Sequence, residues 1–275
     1  MEQFHYSLGF IGAGNMAKAI MKGILKSGLY EADQIIASDK EKGVVEEISK
    51  QFGISIAQDN GDAVKRAGII LLCIKPQNMK EVLMEIRDFL KTSHLIISIA
   101  AGISIKTILR TLEKDIPIIR VMPNTPALVQ RGMSGIAFGP GIRKEHVSIA
   151  LDIFNSVGET IIVEEQMLDL ITAVSGSGPG YIFRIMELMV ESAMELGLER
   201  DPARKLVIQT FIGSSHLAKE SEEPLSMLRQ MVTSPGGTTE AGLLVFEKAE
   251  LRNIIKDAIK AALKRSIEIK NEWEK

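Results

Sequence analysis

The stretch "LGFIGAGNMAKAI", residues 8–20, limits what this chain can fold into more than any other. Leu8 to Ile11 read as a strand, and helical spacing begins near Met16. Between them Gly12-Ala13-Gly14-Asn15-Met16-Ala17 fits the pattern G-x-G-x-x-G/A in a strand–turn–helix setting. Gly12 permits the tight turn and Gly14 lets backbone approach a pyrophosphate. Ala17 is small enough for close helix–strand packing. The start of the helix presents unpaired N–H groups and a positive dipole end to phosphate. A parallel strand–helix–strand unit that holds a dinucleotide is the expectation. A glycine-rich turn without a ligand is the plain alternative.

Up to residue 163 the texture continues in that sense. The β-branched runs are 8–11, 34–38, 54–57, 68–74, 94–99 and 116–121, with amphipathic segments such as 16–27 and 44–52 between them. Several are apolar almost throughout, as parallel strands covered on both faces must be. Such alternation predicts an α/β fold, a Rossmann-type doubly wound sheet over residues 1–163. Gly28 stands where the first helix needs a left-handed cap.

From residue 164 to 275 the strands vanish and helical periodicity takes over. Asp201-Pro202 reads as an N-cap followed by proline at the first helical position. In "YIFRIMELMVESAMEL" the residues Ile182, Ile185, Met186, Met189, Val190 and Ala193 make one broad apolar face. A helix so apolar, in a region this short, implies a dimer interface as well as a core. The second region is therefore expected to be all-helical and to dimerise.

Composition narrows the function. A formal net charge of −2 gives no electrostatic footprint for nucleic acid. The single cysteine, Cys73, excludes an internal disulfide and a cysteine metal cluster. The amino-terminal "MEQFHYSLGF" lacks the pattern of a secretory leader, and no stretch has the apolar length of a membrane span. A soluble, cytoplasmic chain with no metal, no nucleic-acid partner and no membrane contact is expected.

Ligands in such sheets bind outside the carboxyl ends of the strands. At the second strand end, Asp39 suits a ribose with a free 2′-hydroxyl, whereas Ser38 and Lys40 could hold a 2′-phosphate. The choice between NADH and NADPH stays open, and a helix cap is the plain reading of Asp39. Lys75 and Pro76 leave the fourth strand. Ala100, Ala101 and Gly102 leave the fifth and would let a nicotinamide lie close to backbone. "MPNTP" is a proline-braced turn in which Asn124 or Thr125 could touch a ligand. "SGSGP" begins a long apolar helix, where Gly176 and Gly178 allow either tight packing or ligand approach. "TSPGGTTE", residues 233–240, is a sharp turn between helices or a backbone nest for an anion.

"GFIGAGNMA", "CIKP", "SIAAGI", "MPNTP", "SGSGP" and "SPGGTTEAGL" occur in this order over essentially the whole chain. Together they resemble pyrroline-5-carboxylate reductase. The segment "PLSMLRQMVTSPGGTTEAGLLVFEK" is the most specific part. The resemblance implies a Rossmann domain followed by a helical dimerisation domain, with the active site completed by a second subunit. It implies a homo-oligomer, a dimer or a ring of dimers. NADPH or NADH would reduce the cyclic imine 1-pyrroline-5-carboxylate to L-proline.

Residue by residue, the resemblance implies that Ile11, Gly12, Ala13, Gly14, Asn15 and Met16 hold the pyrophosphate. Asp39 would lie beside the adenosine ribose, flanked by Ser38 and Lys40, with Asn60 near the adenosine. Cys73, Ile74, Lys75 and Pro76, with Ile99, Ala100 and Ala101, would flank the nicotinamide half. Thr238 and Thr239 match residues at the substrate, and Glu222 and Glu165 match acidic positions near it. Met231 departs from the family pattern, where a polar residue is expected.

The chemistry then asks little of the side chains. The cofactor supplies the reducing power. Backbone N–H groups of Gly237 and Thr238, with the Ser234 hydroxyl, suit the substrate carboxylate. The Thr239 hydroxyl suits the ring nitrogen and is the candidate catalytic group. None of the four histidines sits in a motif. Rival readings are a β-hydroxyacid dehydrogenase-like enzyme using Lys205 or Lys219, a broader imine reductase of the same layout, and a non-catalytic NADP-binding regulator.

Overall fold

Short runs of nearly continuous apolar residues produce a sheet with two buried faces, and the computed structural model shows how they are used. It describes residues 5–274; Met1–Phe4 of the amino-terminal stretch lie outside it. The chain divides into two units. One holds the residues up to Ser177 and those from Ala262 onward, and the other is Gly178–Ala261.

The first unit is built on an eight-stranded sheet. Its strands are β1 Tyr6–Ile11, β2 Ile35–Ser38, β3 Ser55–Ile56, β4 Ala67–Leu72, β5 Leu95–Ser98, β6 Ile118–Met122, β7 Gly132–Phe138 and β8 Gly158–Ile162. The spatial order is β3-β2-β1-β4-β5-β6-β7-β8. The first six are parallel; β7 pairs antiparallel with β6, and β8 pairs parallel with β7, so the last two strands run opposite to the rest. Helices α1 Asn15–Lys26, α2 Lys42–Phe52, α3 Asn60–Arg66, α4 Met79–Ile86 and α5 Ile105–Leu112 follow the first five strands. Helix α6 Lys144–Asn155 links β7 to β8, and the short α7 Leu168–Ile171 comes after β8.

Period-two alternation sorts the strand residues into two cores. Phe10, Ile35, Leu71, Ile97 and Ile119 pack on the side of α1, α2 and α6. Their neighbours Ile11, Ile36, Ile70, Ile96 and Ile118 pack on the side of α3, α4 and α5. Gly28 has φ +69. Its N–H donates to Leu25 O and that of Leu29 to Ile24 O, which ends α1 in a Schellman motif.

Six runs in the sequence read as strands, and the structure adds β7 and β8. Their signals are weak for physical reasons. "GMSGIAF" spends three positions on Gly132, Ser134 and Gly135; a Cβ at Gly132 would lie 3.0 Å from Ala127, and one at Gly135 2.8 Å from Ile171. "GETII" is an edge strand with both isoleucines exposed, so it carries no buried run.

The second unit contains α8 Gly178–Glu195, α9 Arg200–Glu220, α10 Leu225–Met231, α11 Thr238–Lys248 and the first part of α12 Leu251–Glu274. Helix α9 starts before the expected cap: Glu199 is the N-cap, and Asp201-Pro202 lie inside the first turn. Proline is tolerated there because the first four N–H groups of a helix lack partners in it. No residue of α8 is buried. Among the described residues, no helix is long and apolar enough to cross a membrane.

Candidate functional site

The sheet order reverses between β1 and β4, and a cavity of about 980 Å³ opens at their carboxyl ends. The glycine-rich loop forms one wall. Gly12 has φ +94, and a Cβ there would lie 2.6 Å from Cys73 O. Its N–H donates to Ser38 O, and the Cys73 N–H donates to Ile11 O, so the loop is stitched to both neighbouring strand ends. At Gly14 a Cβ would meet no atom within 4 Å, which leaves backbone open to the cavity. Gly14 is the N-cap of α1, no side chain caps it, and the first turn carries no acid. The free N–H groups and the dipole are therefore available to an anion. These features fit a dinucleotide pyrophosphate.

The structure brings most of the expected cofactor residues to this cavity. Ile11 to Met16, Asp39, Lys40, Asn60, Cys73 to Pro76, and Ile99 to Ala101 all line it. Asp39 does not cap α2, whose N-cap is Glu41. Its Oδ2 accepts from the Ala13 N–H at 2.7 Å and its Oδ1 from the Glu41 N–H at 3.0 Å. Ser38 lines an adjoining cavity of about 440 Å³ but is buried. Its hydroxyl donates to Asn60 Oδ1 at 2.7 Å. Asn60 in turn donates to Glu85 Oε2 at 2.7 Å. Burial pushes the Cys73 thiol well above its ordinary value.

Several wall residues escape a motif reading. Asn78, Glu81, Val82 and Glu85 line the cavity from the start and one face of α4. Their i, i+3, i+4, i+7 spacing is the only signal in the sequence. From the segment after β6, Thr125, one of the two expected residues of "MPNTP", lines it with Pro123 and Leu128. Asn124, between them, turns away: its Nδ2 donates to Ser175 O and its Oδ1 accepts from the Met133 N–H.

Glu165 belongs to a different arrangement. Its Oε1 accepts from the Ile105 N–H at 2.7 Å, at the start of α5. The same oxygen lies 3.3 Å from the guanidinium of Arg120, which is 2% exposed. A buried arginine needs such a counter-charge.

The remaining expected residues lie on the turn before α11. Gly236 has φ +71, and the Gly237 N–H donates to Ser234 O, closing the turn. The Gly237 donor is thus spent inside the turn. The Gly236 N–H donates to Glu240 Oε2 at 2.6 Å. The N–H groups of Thr238, Thr239 and Glu240 are the ones left without an intrahelical partner. Ser234, Thr238 and Thr239 are exposed, as are Glu222, shortly before α10, and Met231 at its end.

Comparison with known proteins agrees over both regions. Residues 165–269 match the family described as pyrroline-5-carboxylate reductase dimerisation, and residues 7–102 match NADP oxidoreductase coenzyme F420-dependent. A pyrroline-5-carboxylate reductase of Methanosarcina acetivorans is 37% identical, over 95% of this chain and 97% of its own length. A solved pyrroline-5-carboxylate reductase from Coxiella burnetii has a TM-score of 0.90 at 37% identity, covering 96% of this chain and 98% of that one. The Plasmodium falciparum enzyme, solved with NADP bound, has a TM-score of 0.87 at 29% identity, covering 98% of this chain and 100% of that one. With a Rossmann-type cavity in the first unit and a dimerisation-type helical region after it, the chain belongs to the pyrroline-5-carboxylate reductase family.

Proposed function

We propose that this chain reduces 1-pyrroline-5-carboxylate to L-proline, the closing step of proline biosynthesis, as a homo-oligomer built from dimers. The observation that carries the reading is the exposed Ser234–Thr239 turn at the start of α11, in a chain whose other unit has a dinucleotide cavity. The bound nicotinamide supplies a hydride to the imine carbon. The loop from Gly12 to Met16 and the start of α1 hold its pyrophosphate. Ala100 and Ala101 lack side chains large enough to keep the ring from the backbone.

At the turn, the Thr238 and Thr239 N–H groups bind the substrate carboxylate. Gly237 contributes through its backbone shape, and Ser234 adds a hydroxyl donor. The Thr239 hydroxyl accepts from the protonated ring nitrogen and selects the face that is reduced. The imine enters already protonated, so the chain needs no strong acid. Glu222 adds negative charge near the iminium. Glu165 acts through the start of α5. Thr239→Ala is expected to lower kcat/KM roughly 100-fold, as the loss of one oriented transition-state hydrogen bond does. An unchanged value, in an absorbance assay of nicotinamide oxidation with the imine, would remove the assigned role. No oxidation by the wild type with either cofactor would remove the whole reading.

NADH is the better fit for the cofactor. Both oxygens of Asp39 are held by backbone N–H groups, so its charge is anchored beside the ribose position. The Ser38 hydroxyl, a natural partner for a 2′-phosphate, is spent on Asn60. Like charges about 5 Å apart repel by roughly 3 kcal/mol at an effective dielectric near 20, before screening. About 10-fold or greater preference for NADH in kcat/KM is expected, and Asp39→Ser should shrink it. Equal use of NADPH by the wild type would contradict this choice.

A further inference from the structure

We propose that Asn124 is a positioning residue, which sets the cavity wall at Pro123 and Thr125 by clasping a widened helical turn. This rests on the reading that the cavity receives the nicotinamide. The turn is Thr172–Gly176, a π-helical stretch in which the Ser177 N–H donates to Thr172 O at 2.8 Å. Single π turns are rare and often accompany functional sites.

The sequence shows why this turn needs an outside partner. In a continuous helix the Ser175 carbonyl would accept from the N–H four residues on. That residue is Pro179, which has none. Asn124 fills the place. Its Nδ2 donates to Ser175 O at 3.2 Å and contacts Ser175 Oγ at 3.1 Å. Its Oδ1 accepts from the Met133 N–H at 2.8 Å, at the start of β7. One amide therefore ties the end of β6, the start of β7 and the π turn together.

Alternation along residues 122–125 gives that tie its consequence. Met122 and Asn124 face the turn: a Cβ at Gly176 would lie 2.8 Å from Met122 Cε. Pro123 and Thr125 face the cavity. If the π turn relaxes to an ordinary helix, Ser175 moves, and the strand end must shift with Asn124. Misplacement of a reacting geometry by about 1 Å costs on the order of 100-fold in rate.

The test uses Asn124→Asp and Pro179→Ala in the full-length protein. Asn124→Asp keeps the shape but turns an acceptor on Ser175 O. Its kcat is expected to fall roughly 10- to 100-fold, with the dissociation constant for reduced dinucleotide, read by nicotinamide fluorescence, unchanged. As pH falls and the new carboxyl gains a proton it can donate, the variant-to-wild-type ratio of kcat should rise. Hydrogen exchange at the Ser177 amide should quicken. Pro179→Ala restores the missing N–H, so it should lower kcat without lowering thermal stability, and it carries the test should Asn124→Asp not fold. Unchanged kcat in Pro179→Ala, or a pH-independent ratio in a folded Asn124→Asp, overturns the proposal. A wild type that fails to turn over the imine speaks against the function itself, whereas these ratios address Asn124 alone.

Discussion

At the scale of single residues, the cavity loop depends on glycine for steric reasons. Gly12→Ala would combine a positive φ with a Cβ 2.6 Å from Cys73 O, a contact that backbone cannot relieve cheaply. It is expected to weaken dinucleotide binding, measured by nicotinamide fluorescence, by 10-fold or more, on the order of 1.4 kcal/mol. His146, buried on α6, gives a prediction about pH. Its ring nitrogens face Arg143, with Nε2 2.9 Å from the guanidinium. Burial first, and the Arg143 charge second, lower its proton affinity, and Glu145 opposes them. The unfolded chain, whose histidine titrates near the ordinary value of about 6.5, takes up the proton first. Stability from this group is thus present above about pH 6.5 and is lost as pH falls below it. The denaturation midpoint should drop more between pH 7.5 and 5.5 in the wild type than in His146→Gln, about those test values. Parallel losses would show that His146 is not the cause. Among the site residues, Asp39 was legible as a strand-end acid. Its hold on the Ala13 N–H was not, because that bond joins residues 26 positions apart.

At the scale of elements, the last helix shows what local periodicity leaves open. Helix α12 reads as a long amphipathic segment, yet its second half belongs to the first unit. The Ser266 hydroxyl donates to Asp169 Oδ1 at 2.8 Å, both residues being buried, and Lys270 lies 3.9 Å from the same carboxylate. Ile269 fills the space beside Gly102, just after the cavity-lining Ala101. Ser266→Ala removes a donor from a buried carboxylate and should cost about 1–3 kcal/mol in denaturant unfolding. A change within about 0.5 kcal/mol, the ordinary range for surface substitutions, would mean that the latch contributes little. Strands of β-branched residues were legible, whereas β7 and β8 were not. In β7, Gly135 packs against the Ile171 side chain, a contact that exists only after folding, and β8 lies at the sheet edge with its isoleucines exposed.

At the scale of the whole molecule, the apolar face expected on α8 stays partly uncovered in the single chain: Ile182, Ile185 and Met189 are exposed, and Met186, Val190 and Ala193 are half-buried. Phe183 is 64% exposed, and Leu188 is exposed with it. Large apolar side chains exposed in this number on one helix mark an association site, which agrees with the dimerisation family matched over residues 165–269. Met189→Glu with Ile185→Lys is expected to lower the molar mass in light scattering at micromolar concentration, and activity should fall with it. Retention of the wild-type mass would place the interface elsewhere.

The sequence by itself determined the strand–turn–helix loop, the parallel sheet core and the turn before α11. Each rests on short-range chemistry: glycine sterics, period-two burial, and a helix start after Pro235-Gly236-Gly237. Only the tertiary structure decided which polar groups were already spent. Ser38 is bound to Asn60, Glu165 to Arg120 and the start of α5, and Asn124 to the π turn. Those choices depend on which side chains arrive within about 3 Å of one another, and residue types at separate positions do not encode that distance.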